Sequence, residues 1–363
     1  MPAVSKLTIQ GYKSIRDLRD FELTNLNVLI GANGAGKSNF IGFFRMLAEM
    51  YDQRLQLYVQ KQGGPDALLH FSRKTTSSLH AELVFDKYRY RFDLAPTNDN
   101  RLIYENERIG LGSDFPLSPE ELPPPLGTGH AESRIRNAKD AHFQTVGRAI
   151  ENWRVYHFHD TGETAKVKQP HSINDTLRLK ADGANLAAYL RMLHTKHEAQ
   201  YRLIVDSVRL IAPFFDDFVH RDDDAHVIEL EWTEKGNPDT PFKAHMLSDG
   251  TLRFICLCTL LLQPWALMPS TILIDEPELG LHPYAINVLA DLLKRTSERR
   301  QLIVSTQSVE LLNCFEPSDI VVVDREDNAS AFRRLDAASL ENWLEEYSLG
   351  DLWERNVLGG RPS

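Results

Sequence analysis

The sequence predicts an α/β protein: a mixed central sheet, an antiparallel β subdomain and an inserted helical lobe, forming one composite unit over 1–363. Three observations predict it. LNVLI (26–30) is nearly all apolar and runs straight into glycines, as a strand buried on both faces does. In the last third, TILID (271–275), PYAINVLADLLKR, QLIVS (301–305) and DIVVVD (319–324) alternate strand and helix patterns, which requires a parallel sheet with crossovers. Between about 66 and 94 the pattern is short and alternating, as in an antiparallel pair.

Residues 4–10 read as a strand, and KSNFIGFFRMLAEM (37–50) has helical periodicity. HAELVF and KYRYRFDL form the antiparallel pair, with Asp86-Lys87 near their turn. Prolines and glycines in GLGSDFPLSPEELPPPLGTG (110–129) cannot sustain an element, so about 110–135 is expected to be a flexible surface loop. Residues 137–153 read as helix and RVYHFH (154–159) as strand. Asp182-Gly183 before and Pro213 after bound a long helix over 185–210. HRDDDAH (220–226) reads as an acidic loop and VIELEW (227–232) as a strand. ENWLEEY is a short helix, and the Gly/Pro/Ser end is expected to fray. The expected division is 1–165, a helical lobe over 170–240, and 241–363.

The 363 residues are 42% hydrophobic and 25% charged, which excludes disorder over most of the length and low-complexity architecture. There is no internal repeat and no long heptad series. Against 41 basic residues stand 51 acidic ones, for a net charge of −10, so a surface coated with nucleic-acid contacts is excluded while a local basic stripe is not. Three cysteines, two of them in an apolar run, are not a disulfide framework; buried thiols in a reducing cytosol are the expectation. The N-terminus lacks a signal pattern. The most apolar run, FICLCTLLLQPWALM (254–268), is shorter than the roughly 20 residues a span needs and is broken at Pro264. The reading is a soluble cytoplasmic protein without membrane contact.

Gly31 to Ser38, GANGAGKS, fits G-x-x-x-x-G-K-[ST] between a buried strand and a helix. Glycines there let successive main-chain N–H groups converge on a polyphosphate, and the helix N-terminus adds partial positive charge. In this pattern Lys37 reaches the β- and γ-phosphates, and Ser38 offers its hydroxyl to Mg2+. TILIDEPE ends a buried strand in acids at the edge where α/β sheets bind ligands. Asp275 is then the Mg2+ partner, and Glu276 the group that polarises a water attacking the γ-phosphate. Leu247-Ser248-Asp249-Gly250-Thr251 opens the apolar helix with a capping hydroxyl and a glycine. Gln307, in Ser305-Thr306-Gln307-Ser308, falls beside the strand end that carries the acids and can orient a water.

The order GANGAGKSN, LSDGTLR, ILIDEPELGLHP, IVSTQS resembles the ABC-type ATPase heads of the SMC/RecF class, over residues 4–40 and about 245–325. It is especially similar to stand-alone RecF-like ATPases without long coiled coils, found in bacterial anti-phage and OLD-type defence operons. DGANLAAYLRML resembles the family's helical segment. The resemblance implies that Asn33, Gly34, Ala35, Gly36, Lys37, Ser38 and Asn39 hold ATP and Mg2+. It implies that Asp275 is the Walker B acid, that Glu276 is the catalytic base, and that Ser248 and Gly250 contact the γ-phosphate of ATP held by a second copy. It places His282 near the dimer-facing loop, Gln307 where many relatives have a switch histidine, and YHFHDT (156–161) as the lobe-connecting loop. The implied assembly is a homodimer, or higher homo-oligomer, sandwiching ATP. It acts as a switch in DNA-linked defence or repair with a separate nuclease-like effector. Two positions depart from the pattern: LSDGT replaces LSGGQ, and Gln307 cannot take a proton, which leaves it positioning only.

Three rival readings follow. A slow-turnover, ATP-loaded scaffold for an effector is motivated by Gln307. A transporter motor is disfavoured by LSDGT and the glutamine, and a GTPase by the absence of Asn-Lys-x-Asp. Asp222, Asp223 and Asp224 read as a solvated acidic loop rather than a metal cluster. Asp324 and Asp327 lack a separate sheet on which to build a nuclease centre. Arg299-Arg300 and Arg333-Arg334 read as solvated faces, so DNA binding rests on the resemblance alone.

Overall fold

The structure, a computed structural model, describes residues 3–86, 88–111, 125–221 and 226–360. The chain opens with β1 (Val4–Tyr12), β2 (Ile15–Glu22) and β3 (Leu26–Ile30), then α1 (Lys37–Tyr51), α2 (Leu55–Lys61) and α3 (Pro65–Leu68). There follow β4 (Leu79–Phe85), β5 (Tyr88–Pro96), β6 (Leu102–Leu111), α4 (Ala141–Glu151), β7 (Trp153–Tyr156) and β8 (His171–Ser172). The middle contains α5 (Leu186–Lys196), α6 (Glu198–Ile211), β9 (Phe215–Phe218), β10 (Val227–Ile228), β11 (Glu231–Glu234) and β12 (Asn237–Lys243). The last part is α7 (Asp249–Leu262), β13 (Thr271–Asp275), α8 (Pro283–Ser297), β14 (Gln301–Ser305), α9 (Val309–Leu312), β15 (Ile320–Glu326), β16 (Ala329–Arg334), α10 (Ala337–Leu344) and α11 (Leu349–Glu354).

The six-stranded sheet has the order β16-β15-β3-β14-β13-β7. All its pairings are parallel except β15–β16. Its strands are buried on both faces, and their side chains divide by the period of two. Val28, Ile30, Ile272, Ile274, Leu302, Val304 and Val322 join one core with α5, α6, α7 and α8. Leu29, Leu273, Ile303, Val321 and Val323 join the other. There they meet Phe40, Phe43, Phe44 and Leu47, one face of α1 at helical spacing, and the antiparallel sheet β2-β1-β4-β5-β6. The mixed α/β architecture with an antiparallel subdomain is therefore as the sequence predicts.

Several local readings differ. The long helix over 185–210 is two helices, because His197 leaves helical geometry (φ −142°, ψ 53°) although no glycine or proline marks the break. VIELEW splits, since Leu230 turns inward and Glu231–Glu234 pairs with β9 and β12 instead of continuing β10. The segment 170–240 is thus not wholly helical. The strand over 154–159 stops at Tyr156. Of the loop expected over 110–135, residues 112–124 lie outside the described residues, but 126–134 is held in place. Leu126 N donates to Glu107 O (2.8 Å), and Tyr104 N donates to His130 O (2.9 Å). Buried Glu107 accepts bonds from Tyr90, His130, Ser133 and the Arg134 amide. The acidic residues 222–224 also lie outside the described residues.

Asp327 and Asn328 adopt left-handed φ (48° and 62°) as a two-residue turn joining β15 to β16. Cys256 and Cys258 are buried, and Cys314 is partly exposed. Among the described residues no helix is long and apolar enough to cross a membrane.

Candidate nucleotide site

Parallel strands deliver their C-terminal ends to one edge. There β3 feeds the glycine loop, β13 ends at Asp275 and β14 at Ser305. Gly31 lies so close to β15 that a Cβ would stand 2.2 Å from the Val323 carbonyl oxygen. Gly36 (φ 122°) leads into α1, and a Cβ there would stand 2.0 Å from Ser330 Oγ. Ser330 Oγ donates to Ala35 O (2.5 Å) and is hydrogen-bonded to the Ser14 hydroxyl (2.7 Å), which also accepts from Asn39 Nδ2 (2.7 Å). The loop is therefore braced from below by two hydroxyls. Gly34 faces open space, with nothing within 4 Å of a would-be Cβ, which is the room a phosphate needs above the loop.

Buried Lys37 donates from Nζ to Gly31 O (2.5 Å) and Ala32 O (3.2 Å), which leaves one of its three donors for a ligand. Burial lowers its pKa, opposed by the charges of Glu276, Asp275 and Glu278. A cavity of about 140 Å³ is lined by Asn33, Gly34, Gly36, Lys37, Ser38, Asn39, Glu276 and Gln307, together with Ala32. Ala35 is buried beneath it.

Asp275 accepts a hydrogen bond from Ser305 Oγ, and its carbonyl accepts one from His159 Nε2 (2.7 Å). Glu276 takes a left-handed φ of 44°, a conformation that costs about 1–2 kcal/mol for a residue with a Cβ. Gln307 Nε2 donates to Glu276 Oε1 (2.5 Å), so the glutamine orients the carboxylate without competing for a proton. The oxygen donors Ser38 and Asp275, both at this edge, suit a hard cation such as Mg2+.

Ser248 and Gly250 are not in this cavity. Ser248 caps α7, accepting from Thr251 N (3.1 Å), and with Gly250 it lines a separate cavity of about 290 Å³ beside Gly280, Leu281, His282 and Tyr284. His282 caps α8 through Tyr284 N (3.3 Å).

Two site residues escape the sequence reading. Glu278, one proline beyond Glu276, accepts from Thr306 Oγ1 (2.6 Å) and Gln307 N (3.2 Å), while its buried Oε2 has no partner among the described residues. Burial raises its pKa. The repeated acid in DEPE is the only sequence signal of it. Arg253, buried on α7, donates to Phe158 O (2.8 Å) and His159 O (3.0 Å), linking the start of α7 to the segment that holds Asp275. Of the arginine pairs, Arg334 is not solvated: it donates to Asn27 Oδ1 (2.5 Å).

A central parallel strand feeding a glycine loop, with an acid pair two strands away, defines a P-loop ATPase domain of the ABC/SMC head type. The chain belongs to the family described as "AAA domain, putative AbiEii toxin, Type IV TA system", whose model matches residues 26–313. It is similar in fold to the SMC head bound to the C-winged helix domain of ScpA, with a TM-score of 0.62 at 16% identity, covering 94% of this chain and 100% of that one. It is also similar to the Smc head with an extended coiled coil bound to the C-terminal domain of ScpA, derived from Pyrococcus furiosus (TM-score 0.60, 15% identity, 95% and 99% covered).

Two curated proteins match by sequence. Urease accessory protein 2 of Cryptococcus neoformans is 37% identical over 115 residues, which is 31% of this chain and 9% of that protein. Chromosome segregation protein sudA of Emericella nidulans is 34% identical over 114 residues, again 31% and 9%. The matched stretch spans about a tenth of the length of either curated relative.

Proposed function

We propose that this chain is an ATP-hydrolysing switch. Two copies sandwich ATP, each nucleotide being held by one copy's Asn33–Asn39 loop and touched by the other's Ser248 and Gly250. The observation that carries the reading is the convergence of Lys37, Ser38, Glu276 and Gln307 on one cavity while Ser248 and Gly250 line another. In this reading a second copy, rather than the same chain, brings Ser248 and Gly250 to the nucleotide, and the likeness to SMC heads supports it.

In this reading the loop amides and Lys37 bind the β- and γ-phosphates. Ser38 and Asp275 would hold Mg2+, which when bound neutralises phosphate charge. Glu276 accepts the proton of the attacking water as the bond from the γ-phosphorus to the ADP oxygen breaks. Gln307 keeps the Glu276 carboxylate aimed, and Glu278 holds Gln307's backbone. The family's toxin–antitoxin description supports a role in defence against phage, with a separate nuclease-like effector and DNA as partners.

The test is turnover and assembly mass with and without ATP. Lys37→Ala should abolish ATP turnover. Glu276→Gln should slow it by about 10²–10⁴ while retaining ATP and trapping the dimer. Lys37→Ala with wild-type turnover refutes the reading. Gln307 also supports a second reading, an ATP-loaded scaffold that turns over slowly, and a large stimulation of the steady-state rate by DNA counts against it.

A further inference from the structure

The edge of the six-stranded sheet opposite the P-loop gathers the segments that enter its strands: Asn25 before β3, Asn152 before β7, 266–270 before β13 and 298–300 before β14. Two cavities lie there, of about 340 and 190 Å³, and they share Asn152, Ala266 and Met268, so together they form one extended groove. Arg299 and Arg300 line the first, and Arg154 and Arg178 the second. Not one of the four has a carboxylate within ion-pair distance among the described residues.

Both Arg299 and Arg300 stack on Trp265, with guanidinium carbons 5.3 and 5.7 Å from the ring centroid, so they are held in place rather than waving in solvent. Arg300 Nε and Ser270 Oγ are buried without a hydrogen-bond partner among the described residues. Arg154 and Arg300 both have lowered pKa values, burial being the first cause and a neighbouring arginine another (Arg178 and Arg299 respectively).

A structural explanation is that these arginines serve the C-terminal ends of α4, α7 and α8, which also point to this edge. Arg154 does donate to Glu151 O (2.6 Å) and Trp153 O (2.5 Å), and Arg300 to Trp265 O. Three helix ends carry about half a negative charge each, so together they offset less than two of the four positive charges. Glu298 also lines the groove, and Glu151 and Asp52 act on Arg154 at longer range. Within the lining itself four arginines stand against one carboxylate, Glu298, in a protein whose net charge is −10.

We propose that this groove binds the phosphodiester backbone of a nucleic-acid strand. Its extension over two joined cavities fits a polyanion better than a single phosphate, and arginine forks recognise phosphate oxygens bidentately. The site is at the opposite end of the strands from the nucleotide, so it stands apart from the ATP reading.

The probes are a fluorescein-labelled 20-nucleotide oligo-dT and a duplex of equal length, titrated by anisotropy across a sodium chloride series. Binding should weaken with salt with a logarithmic slope of about −3, as expected for four phosphate contacts. Arg178→Glu with Arg299→Glu changes only exposed side chains. It should lower affinity at least tenfold and reduce the slope by about 2, with ATP turnover and melting temperature unchanged. Arg178→Lys with Arg299→Lys should retain most of the binding. Lys37→Ala should lose turnover yet bind oligonucleotide as wild type, which separates this proposal from the ATPase reading. Wild type that fails to bind at 50 mM salt, a double Glu variant that binds normally, or polyglutamate binding in preference to oligonucleotide (an acidic protein partner) each overturns it.

Discussion

Gly250→Ala is the perturbation whose consequence the geometry fixes most tightly. Gly250 is the second residue of α7, and a Cβ there would stand 2.3 Å from the carbonyl oxygen of Gly280. The opposing atom is main chain, so no rotamer change relieves it. Opening the contact to the 3.3 Å or so at which carbon and oxygen ordinarily meet requires a displacement of about 1 Å. α7 is buried from Leu252 to Leu262 and resists the shift, so the cost is about 1–3 kcal/mol, seen as a melting temperature lower by a few degrees. Gly280 belongs to the turn after the acids, where Leu279 N donates to Glu276 O (3.3 Å) and Leu281 N to Glu278 O (2.9 Å). The displacement therefore reaches Glu276 and the Arg253 bonds to residues 158–159. A 1 Å error at a reacting group costs about 10²-fold in rate, which is the expected fall in ATP turnover. Gly34→Ala is the matched comparison for stability alone, since its added Cβ enters the space a phosphate needs and turnover falls for that separate reason. It adds no clash and only the backbone cost of a left-handed residue (φ 81°), about 1–2 kcal/mol. If Gly250→Ala melts within a degree of wild type and turns over within twofold, the close approach of α7 to the acid-bearing turn is not what positions the site.

Glu278→Gln tests the buried carboxyl behind Gln307. Burial holds the native pKa above the unfolded one, so the native state binds the proton more tightly and wild-type stability falls as pH rises through that window. The glutamine variant should gain on wild type in urea midpoints as pH rises upward from the ordinary carboxylate range; parallel pH slopes refute the assignment. His220, stacked on His194 at 4.7 Å, has its pKa lowered to about 4 by burial first and His194 second. It stays neutral in the native state while the unfolded chain protonates near 6.5. Stability is therefore lost as pH falls from about 6.5 to 4, by up to about 3 kcal/mol, and His220→Phe should flatten that acid limb in denaturant titrations. Glu107→Ala orphans the Tyr90 and Ser133 hydroxyls, His130 and the Arg134 amide, and should cost about 3 kcal/mol or more by thermal melting without changing the KM for ATP.

What could be read from the sequence was local. Every residue of the P-loop motif lies within 26–51: an apolar strand, glycines, a lysine, and a helix whose phenylalanines share one face; its braces, Ser14 and Ser330, come from outside that stretch. The missing strands β2, β6 and β16 carry charges on their exposed faces, so their alternation is blurred. β6 becomes a strand because β5 lies beside it, and β2 because β1 does. The β15–β16 turn was carried by Asp327-Asn328, a pair suited to left-handed hairpin positions, but β16 itself gave no strand signal for the pair to join. His197 carried no signal, because a helix end set by packing leaves helical periodicity intact on both sides.

The site divides in the same way. Each motif could be recognised from neighbouring residues, whereas the relation between motifs depends on which strands lie side by side. Asp275 and Ser305 meet because β13 and β14 pair in register, and Glu278 reaches Gln307 because the same pairing brings two loops together 29 residues apart in sequence. The chain that binds Gln307's backbone to Glu278 also carries its side chain to Glu276, so the acid and its aligning amide are fixed by one turn. In a glutamine that cannot carry a proton, that fixation is the only contribution left. Rate in this protein should therefore follow the rigidity of the Glu276–Gln307–Glu278 turn rather than the pKa of any residue at position 307.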